Sequence, residues 1–245
     1  MIGIEDQGSV RVVTLDRPDK RNALTVRMLG DLTRVFGDAS GVRAFCLLGA
    51  GPVFCAGFDL FERVEGDPLA AVRLQLEGLA ATIEAMRSGG VPVVIGVHGA
   101  AVAGGCALLG GGDVVVGDRA VKVGYPVLRL GISPAVTGPF LRMAVGDGAM
   151  RSLLLDPTLV DGQRAHELGL IHELVEDAEA VGLRAVEVAQ RLAGKPGSGV
   201  SATRLWLGEL EGKQVGQHRR GALEASLGAL DEETVERLER QVWKR

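Results

Sequence analysis

The chain has only three cysteines, at 46, 55 and 106, and they form no CxxC pair. An odd, scattered set excludes a disulfide scaffold and fits free thiols in a reducing cytoplasm. The four histidines, at 98, 166, 172 and 218, lack metal-ligand spacing, and there is no HExxH, so a zinc site has no support. A GxSxG elbow and a GxGxxG turn after a strand are both missing, which removes the sequence case for a serine-hydrolase triad or a dinucleotide fold. Basic runs and basic–aromatic interleaving are absent and the net charge is −4, which argues against a nucleic-acid partner. No charged segment leads into an apolar run after Met1, so no signal peptide is expected.

Apolar residues make up 47% of the 245 positions, enough for a sizeable core. Glycine is abundant, at 36 residues, about twice the average usage of roughly 7%. With so apolar a composition the excess points to tight turns and backbone-lined sites, not to disorder. The most telling stretch is Ser88 to Gly112, SGGVPVVIGVHGAAVAGGCALLGGG, which carries no formal charge. An uncharged run of this length can span a membrane. Nine glycines, Pro92 and His98 interrupt it, however, and lipid offers no partner for a backbone broken that often, so no membrane association is expected. Strand, turn and helix is the better reading. Val91–Val97 is a β-branched strand buried on both faces, His98-Gly99 turns the chain, and a helix starts near Ala103. Successive glycines at a helix start can expose free backbone N–H groups to an anion. They can equally allow a helix to pack tightly on a sheet, and this stretch alone leaves the two readings open.

In order along the chain, Val10–Leu15 reads as the first strand and residues 16–22 as a polar loop. Thr25 caps a helix running to about Ala39, with Met28, Leu29, Leu32, Val35 and Phe36 on one face. Ala44–Leu48 is a buried strand, Gly49–Gly57 a loop, Phe58–Arg63 a helical turn, and Leu69–Arg87 a helix. Short strands follow at 113–116 and 121–123, then a loop and helix to Ala149. A compact helix spans Asp161 to Gly169, and a strand spans Leu170 to Val175. This alternation implies a mostly parallel sheet with crossover helices. Beyond about Ala178 the pattern is helical and more charged, with a domain boundary near residues 194–198. The expected division is a core at 1–195 and a helical region at 196–245.

Three segments carry a family resemblance when taken together: Arg21-Asn-Ala-Leu24, Phe54-Cys-Ala-Gly-Phe-Asp-Leu60 and Gly99-Ala-Ala-Val-Ala-Gly-Gly-Cys106. In this order they resemble the crotonase superfamily, the enoyl-CoA hydratase/isomerase family, over nearly the whole chain. The resemblance implies an α/β spiral of ββα units with a C-terminal helical trimerisation region, and hence a homotrimer or dimer of trimers. It implies an acyl-CoA thioester as partner, with coenzyme A as part of the substrate and no other cofactor or metal. The thioester oxygen would sit in an oxyanion hole made by the backbone N–H groups of Phe58 and Gly104. Arg21, Ala23, Ala56, Asp59 and Leu60 would fall in the region that holds adenine and pantetheine, although Arg21 also reads as an ordinary solvated charge. Cys106 reads as a small buried thiol.

The resemblance breaks where acid–base chemistry belongs. Hydratases of the family carry one glutamate three residues after the second oxyanion glycine, where this chain has Ala107. They carry another just after a proline, where this chain has Val127. Other branches use an aspartate after the following Gly-Ile, and here Gly131-Ile-Ser leads to Pro134-Ala135. Hydration needs an acid and a base, and Ala and Val can be neither. Asp113 and Asp118 read as turn or capping residues, His98 as a structural histidine, and Glu77 and Glu84 as a solvated helix face. Ser133 and Thr137 can bind water but are poor bases. Two classes of function stay open. One is an acyl-CoA binder with weak or no hydration. The other is an isomerase, hydratase, thioester hydrolase or decarboxylase with an atypical acid–base group.

Overall fold

The computed structural model describes residues 1–243, with side chains throughout except at 211–217. The β-branched runs assemble into one six-stranded sheet. Strand β1 (Ile2–Gln7) pairs antiparallel with β2 (Val10–Leu15) across a turn at Gly8. Helix α1 (Val26–Gly37) crosses to β3 (Ala44–Gly49), and helix α2 (Ala70–Ser88) crosses to β4 (Val93–Val97). A short strand β5 (Ala100–Val102) leads into α3 (Gly104–Leu108), followed by β6 (Val114–Asp118) and β7 (Lys122–Gly124). The sheet order is β1-β2-β3-β4-β6-β8, where β8 is Glu173–Val175, and every pairing after the first is parallel. The pair β5 and β7 forms a separate two-stranded parallel sheet. Between β7 and β8 lie α4 (Gly138–Leu155), broken at Gly146, and α5 (Gly162–Glu167).

Both faces of the large sheet are covered, which explains the continuous apolar runs. Val13, Leu15, Leu47 and Ile95 face a core shared with α1 and α2, where Leu29, Leu32, Leu76 and Ile83 are fully buried. Val12, Cys46, Val94 and Val116 face helix α6 (Ala178–Ala193) through Ala185, Val188 and Ala189. Burying each such Leu, Ile or Val contributes about 1.5–3 kcal/mol. The caps are those the sequence marked. Thr25 accepts from Met28 N at 3.1 Å and Asp161 from Arg164 N at 2.8 Å.

The structure departs from the sequence reading in three places. The first strand is β1, at the sheet's edge, where its solvated side chains leave no apolar pattern. Phe58 is no part of the helical turn expected over Phe58–Arg63, because it is held extended in a parallel bridge with Leu24, and the turn starts only at Asp59, whose carbonyl accepts from Glu62 N at 3.0 Å. The strand expected at Leu170–Val175 is confined to Glu173–Val175, because the N–H groups of Leu170 and Ile171 turn back to Ala165 O. Helix α7 (Gly197–Gly228) and helix α8 (Glu232–Leu238) bring Leu223, Leu227, Leu230 and Leu238 against the main core. Among the described residues of α7, the large apolar side chains presented outward, Leu205, Trp206, Leu207 and Leu210, all lie in its first half. Buried Arg204 fastens that half to the core, pairing with Asp113 at 2.8 Å and with the carbonyls of Gly89 and Met86.

Candidate functional site

The chain turns from β5 into α3 through Ala103, at φ 54° and ψ −114°, a conformation that a residue with a Cβ adopts only when its surroundings impose it. Ala103 N–H is held by Gly124 O at 2.8 Å, and the first helical bond runs from Ala107 N to Ala103 O at 2.9 Å. The N–H of Gly104 therefore opens the helix without an intrahelical acceptor. Among the described residues no other acceptor meets it.

The second element of the site is the extended segment 55–59. Cys55 N donates to Ala100 O at 3.0 Å and Cys55 O accepts from Val102 N at 2.9 Å. Leu24 N donates to Gly57 O at 2.7 Å, and Asp59 N to Leu24 O at 2.8 Å. Both of these bonds face Leu24, so the Phe58 N–H lies on the opposite side, again with no acceptor among the described residues. Gly57 has φ 95°, and a Cβ there would stand 2.9 Å from Val102 O; only glycine lets the two segments meet. Gly105 shows the packing use of the same motif, since a Cβ on it would fall 2.5 Å from Cys55 O. Gly104 keeps an unpaired N–H and Gly105 makes the close approach, so the two readings left open by the sequence fall on adjacent residues.

Phe58 and Gly104 line one cavity of about 300 Å³. Leu76 and Leu79 of α2, Val102, Leu130, Ile132 and Val136 make its wall apolar, and Ala107 and Val127 are part of that wall. Among the described residues lining it there is no Asp, Glu or His. The polar side chains are Tyr125, Arg129, Ser133, Thr137 and Gln241. The hydroxyls of Tyr125 and Thr137 meet at 3.2 Å, both buried. Burial, then the neighbouring Cys106 thiol, pushes the Tyr125 phenol well above its ordinary range. The Cys106 thiol itself is pushed up to about 11 by burial. Both groups stay protonated at neutral pH, so the phenol can donate a hydrogen bond but is no base.

Of the other candidates, Ala56 and Leu60 line the cavity; Arg21, Ala23 and Asp59 do not. Arg21 is exposed at φ 51°. The Asp59 carboxylate pairs with Arg17 at 2.9 Å and accepts from Phe61 N at 3.2 Å. Arg17 also donates to Ala23 O at 2.6 Å. Asn22 does more than its place in the motif suggested. It is fully buried, accepts from Arg17 N, and donates to the carbonyls of Ala50, Val53 and Phe54. His98 lies 2.8 Å from Gly51 O, while Asp113 and Asp118 take backbone N–H groups of Val93 and Ala120. Glu77 and Glu84 are exposed and away from the cavity. The C-terminal end reaches back to the site. Gln241 lines the cavity, Trp243 Nε1 donates to Leu60 O at 2.7 Å, and Arg63 stacks 3.6 Å above the Trp243 ring.

A parallel sheet crossed by α1 and α2, a second small sheet, and an apolar cavity at the start of α3 define a crotonase-fold protein. The family model described as Enoyl-CoA hydratase/isomerase matches residues 5–206, and the chain belongs to that family. It is similar to the cyclohexa-1,5-dienecarbonyl-CoA hydratase of Thauera aromatica, with 30% identity covering 75% of this chain and 70% of the relative. It is similar to the short-chain-enoyl-CoA hydratase of Clostridium acetobutylicum, also at 30%, covering 77% and 74%. An enoyl-CoA hydratase/isomerase crystal structure from Xanthobacter autotrophicus Py2 superposes with a TM-score of 0.87 at 27% identity, covering 99% of this chain and 94% of that one. No helix among the described residues is long and apolar enough to cross a membrane.

Proposed function

We propose that this protein binds an acyl-CoA thioester with its acyl group in the cavity and its carbonyl oxygen between the N–H groups of Phe58 and Gly104. With Ala107 and Val127 in place of the hydratase glutamates, it adds water to enoyl-CoA weakly or not at all. The observation that carries this reading is the cavity itself. Two backbone donors without acceptors border a wall that, among the described residues, holds no carboxylate and no imidazole. Donors so placed favour an oxygen that gains negative charge. Water addition has no group there to deprotonate the nucleophile. Ala56 and Leu60 lie where the pantetheine would leave the cavity, Arg21 and Ala23 on the adjoining loop, and Asp59 steadies that loop through Arg17.

A second reading is favoured by Tyr125. A phenol held neutral at the cavity wall can protonate an enolate but cannot begin a reaction by taking a proton. Turnover through it would suit thioester chemistry that needs no base to start.

Calorimetry tests the first reading. Gly104→Pro removes the N–H and should weaken acyl-CoA binding more than free CoA binding. Equal losses in a folded variant reject the role given to Gly104. A screen of enoyl- and acyl-CoAs for turnover separates the two readings. We further propose a homotrimer or dimer of trimers, assembled in part on the outward face at Leu205, Trp206, Leu207 and Leu210. Sedimentation as a monomer at micromolar protein defeats this.

A further inference from the structure

We infer that Gln75 is a positioning residue for the Phe58 N–H, an assignment that rests on the oxyanion reading above. Gln75 lies on α2 beside Leu76, which lines the cavity, and is fully buried. Its amide nitrogen spans three acceptors: Leu24 O at 3.2 Å, Asp59 O at 3.1 Å and Glu62 Oε2 at 2.9 Å. Leu24 is the bridge partner of Phe58, its backbone bonded to Gly57 and to Asp59 on either side of Phe58. The nitrogen must face these oxygens, because the flipped amide would point its own oxygen at all three.

Polar satisfaction does not account for the arrangement. Each acceptor already has another donor. Leu24 O takes Asp59 N at 2.8 Å, Asp59 O takes Glu62 N at 3.0 Å, and Glu62 Oε2 takes Val26 N at 2.9 Å. Meanwhile the amide oxygen of Gln75 is buried with no partner among the described residues, a cost that an apolar side chain would avoid. What the amide adds is a fixed distance. It ties the loop before α1, the segment after Phe58 and the Glu62 carboxylate at the start of α1 to a single point on the helix that forms the cavity wall. A hydrogen-bond donor contributes to charge stabilisation only when it is held in place before the ligand arrives, and Gln75 supplies that hold from outside the cavity.

The test is the infrared band of a saturated acyl-CoA labelled with carbon-13 at the thioester carbonyl, with acyl-CoA and free CoA affinities measured alongside. On the parent the carbonyl band should move to lower frequency on binding. Gln75→Met keeps the volume and removes the donors. It should lose about half of that movement, because one of two donors is misaligned, and bind acyl-CoA roughly tenfold more weakly with free CoA unchanged. Gln75→Asn keeps an amide one methylene short of its acceptors and should act in the same direction if the methionine variant does not fold. A folded variant with the full band movement and unchanged acyl-CoA affinity overturns the role of Gln75 while leaving the oxyanion reading intact. A parent that shows no band movement overturns both.

Discussion

Restoring carboxylates at 107 and 127 tests whether the cavity differs from a hydratase site at two positions. Ala107 is 2% exposed on α3 and Val127 is half-buried on the segment after Tyr125; both line the cavity of about 300 Å³. Ala107→Glu with Val127→Glu therefore places two carboxyl groups in a space that holds none among the described residues and can take their volume only by filling itself. A positioned acid–base group contributes on the order of a hundred- to ten-thousandfold. Misplacement by about 1 Å costs around a hundredfold, and nothing in this wall has been shaped to hold a carboxylate. The expected gain in enoyl-CoA hydration over the parent is then measurable but at most about a hundredfold, with each single variant well below the double because the two groups act on one water. The apolar wall and the nearness of the two carboxyls both raise their pKa values. The base must be ionised to act, so the rate should climb with pH above the ordinary carboxylate range. The assay is loss of the conjugated enoyl-thioester absorbance with a short-chain substrate. A double variant that folds, binds substrate and shows no gain refutes the reasoning. A parent that already hydrates at an enzymatic rate refutes it from the other side.

Asn22→Ala removes one acceptor and one amide that together meet four backbone groups, at a residue with φ 54°. The loss should be about 2–4 kcal/mol, a fall of roughly 5–15 °C in Tm, and a fall worth under about 1 kcal/mol rejects Asn22 as the tie between the two loops. His172 Nδ1 accepts from Val115 N at 2.9 Å, and partial burial of the ring holds its pKa below the ordinary 6.5 against the opposing pull of Asp113. Its neutral form therefore contributes stability that is complete above pH 6.5 and is lost as pH falls through that value toward the folded-state pKa. His172→Asn should flatten the loss of urea stability as pH falls below 6.5, and an unchanged slope rejects the assignment. Burial pushes the thiols of Cys46 and Cys55 up to about 12 and that of Cys106 up to about 11. A chromogenic disulfide should label none of the three in the native protein and all of them in denaturant; rapid labelling of the native protein contradicts their burial.

Most of the scaffold could be read before it was seen, for definite physical reasons. Strands buried on both faces read as near-continuous apolar runs, which marks β3 and β4 and, around Arg11 and Thr14, also β2. Caps are local, so Thr25 and Asp161 were visible as single residues. Strand β1 was invisible because an edge strand in water has no obligatory pattern. Phe58 looked helical because its extended state is imposed by Leu24, a partner distant in sequence. Gln75 left a faint signal that went unused. It is a polar residue on the buried face of α2, between Val72 and Leu79. Such a residue must either find partners or carry a cost, and its partners come from two loops that spacing on one helix cannot predict.

Two features of the site carry a cost that folding alone does not repay. Ala103 holds a positive φ where a residue with a Cβ loses about 1–3 kcal/mol. Gln75 buries an unpaired carbonyl oxygen, which costs about as much again. A glycine at 103 or a leucine at 75 would remove either penalty without disturbing the sheet. The two residues belong to different elements, yet each stands near one of the two N–H groups that have no acceptor among the described residues: Ala103 directly before Gly104, and Gln75 bonded to the bridge partner of Phe58, Leu24, and to its neighbour Asp59. Arg21 and Asn22 also hold positive φ, and Asp118 Oδ2 on β6 is also buried without a partner among the described residues, but only Ala103 and Gln75 stand beside the proposed donors, as expected of a site that works by holding donors in place. The wall at Ala107 and Val127 is apolar and lies against the main core. The proposed oxyanion hole is thus the part of the cavity beside which stability is given up. That division favours a thioester held by its carbonyl over one attacked by water.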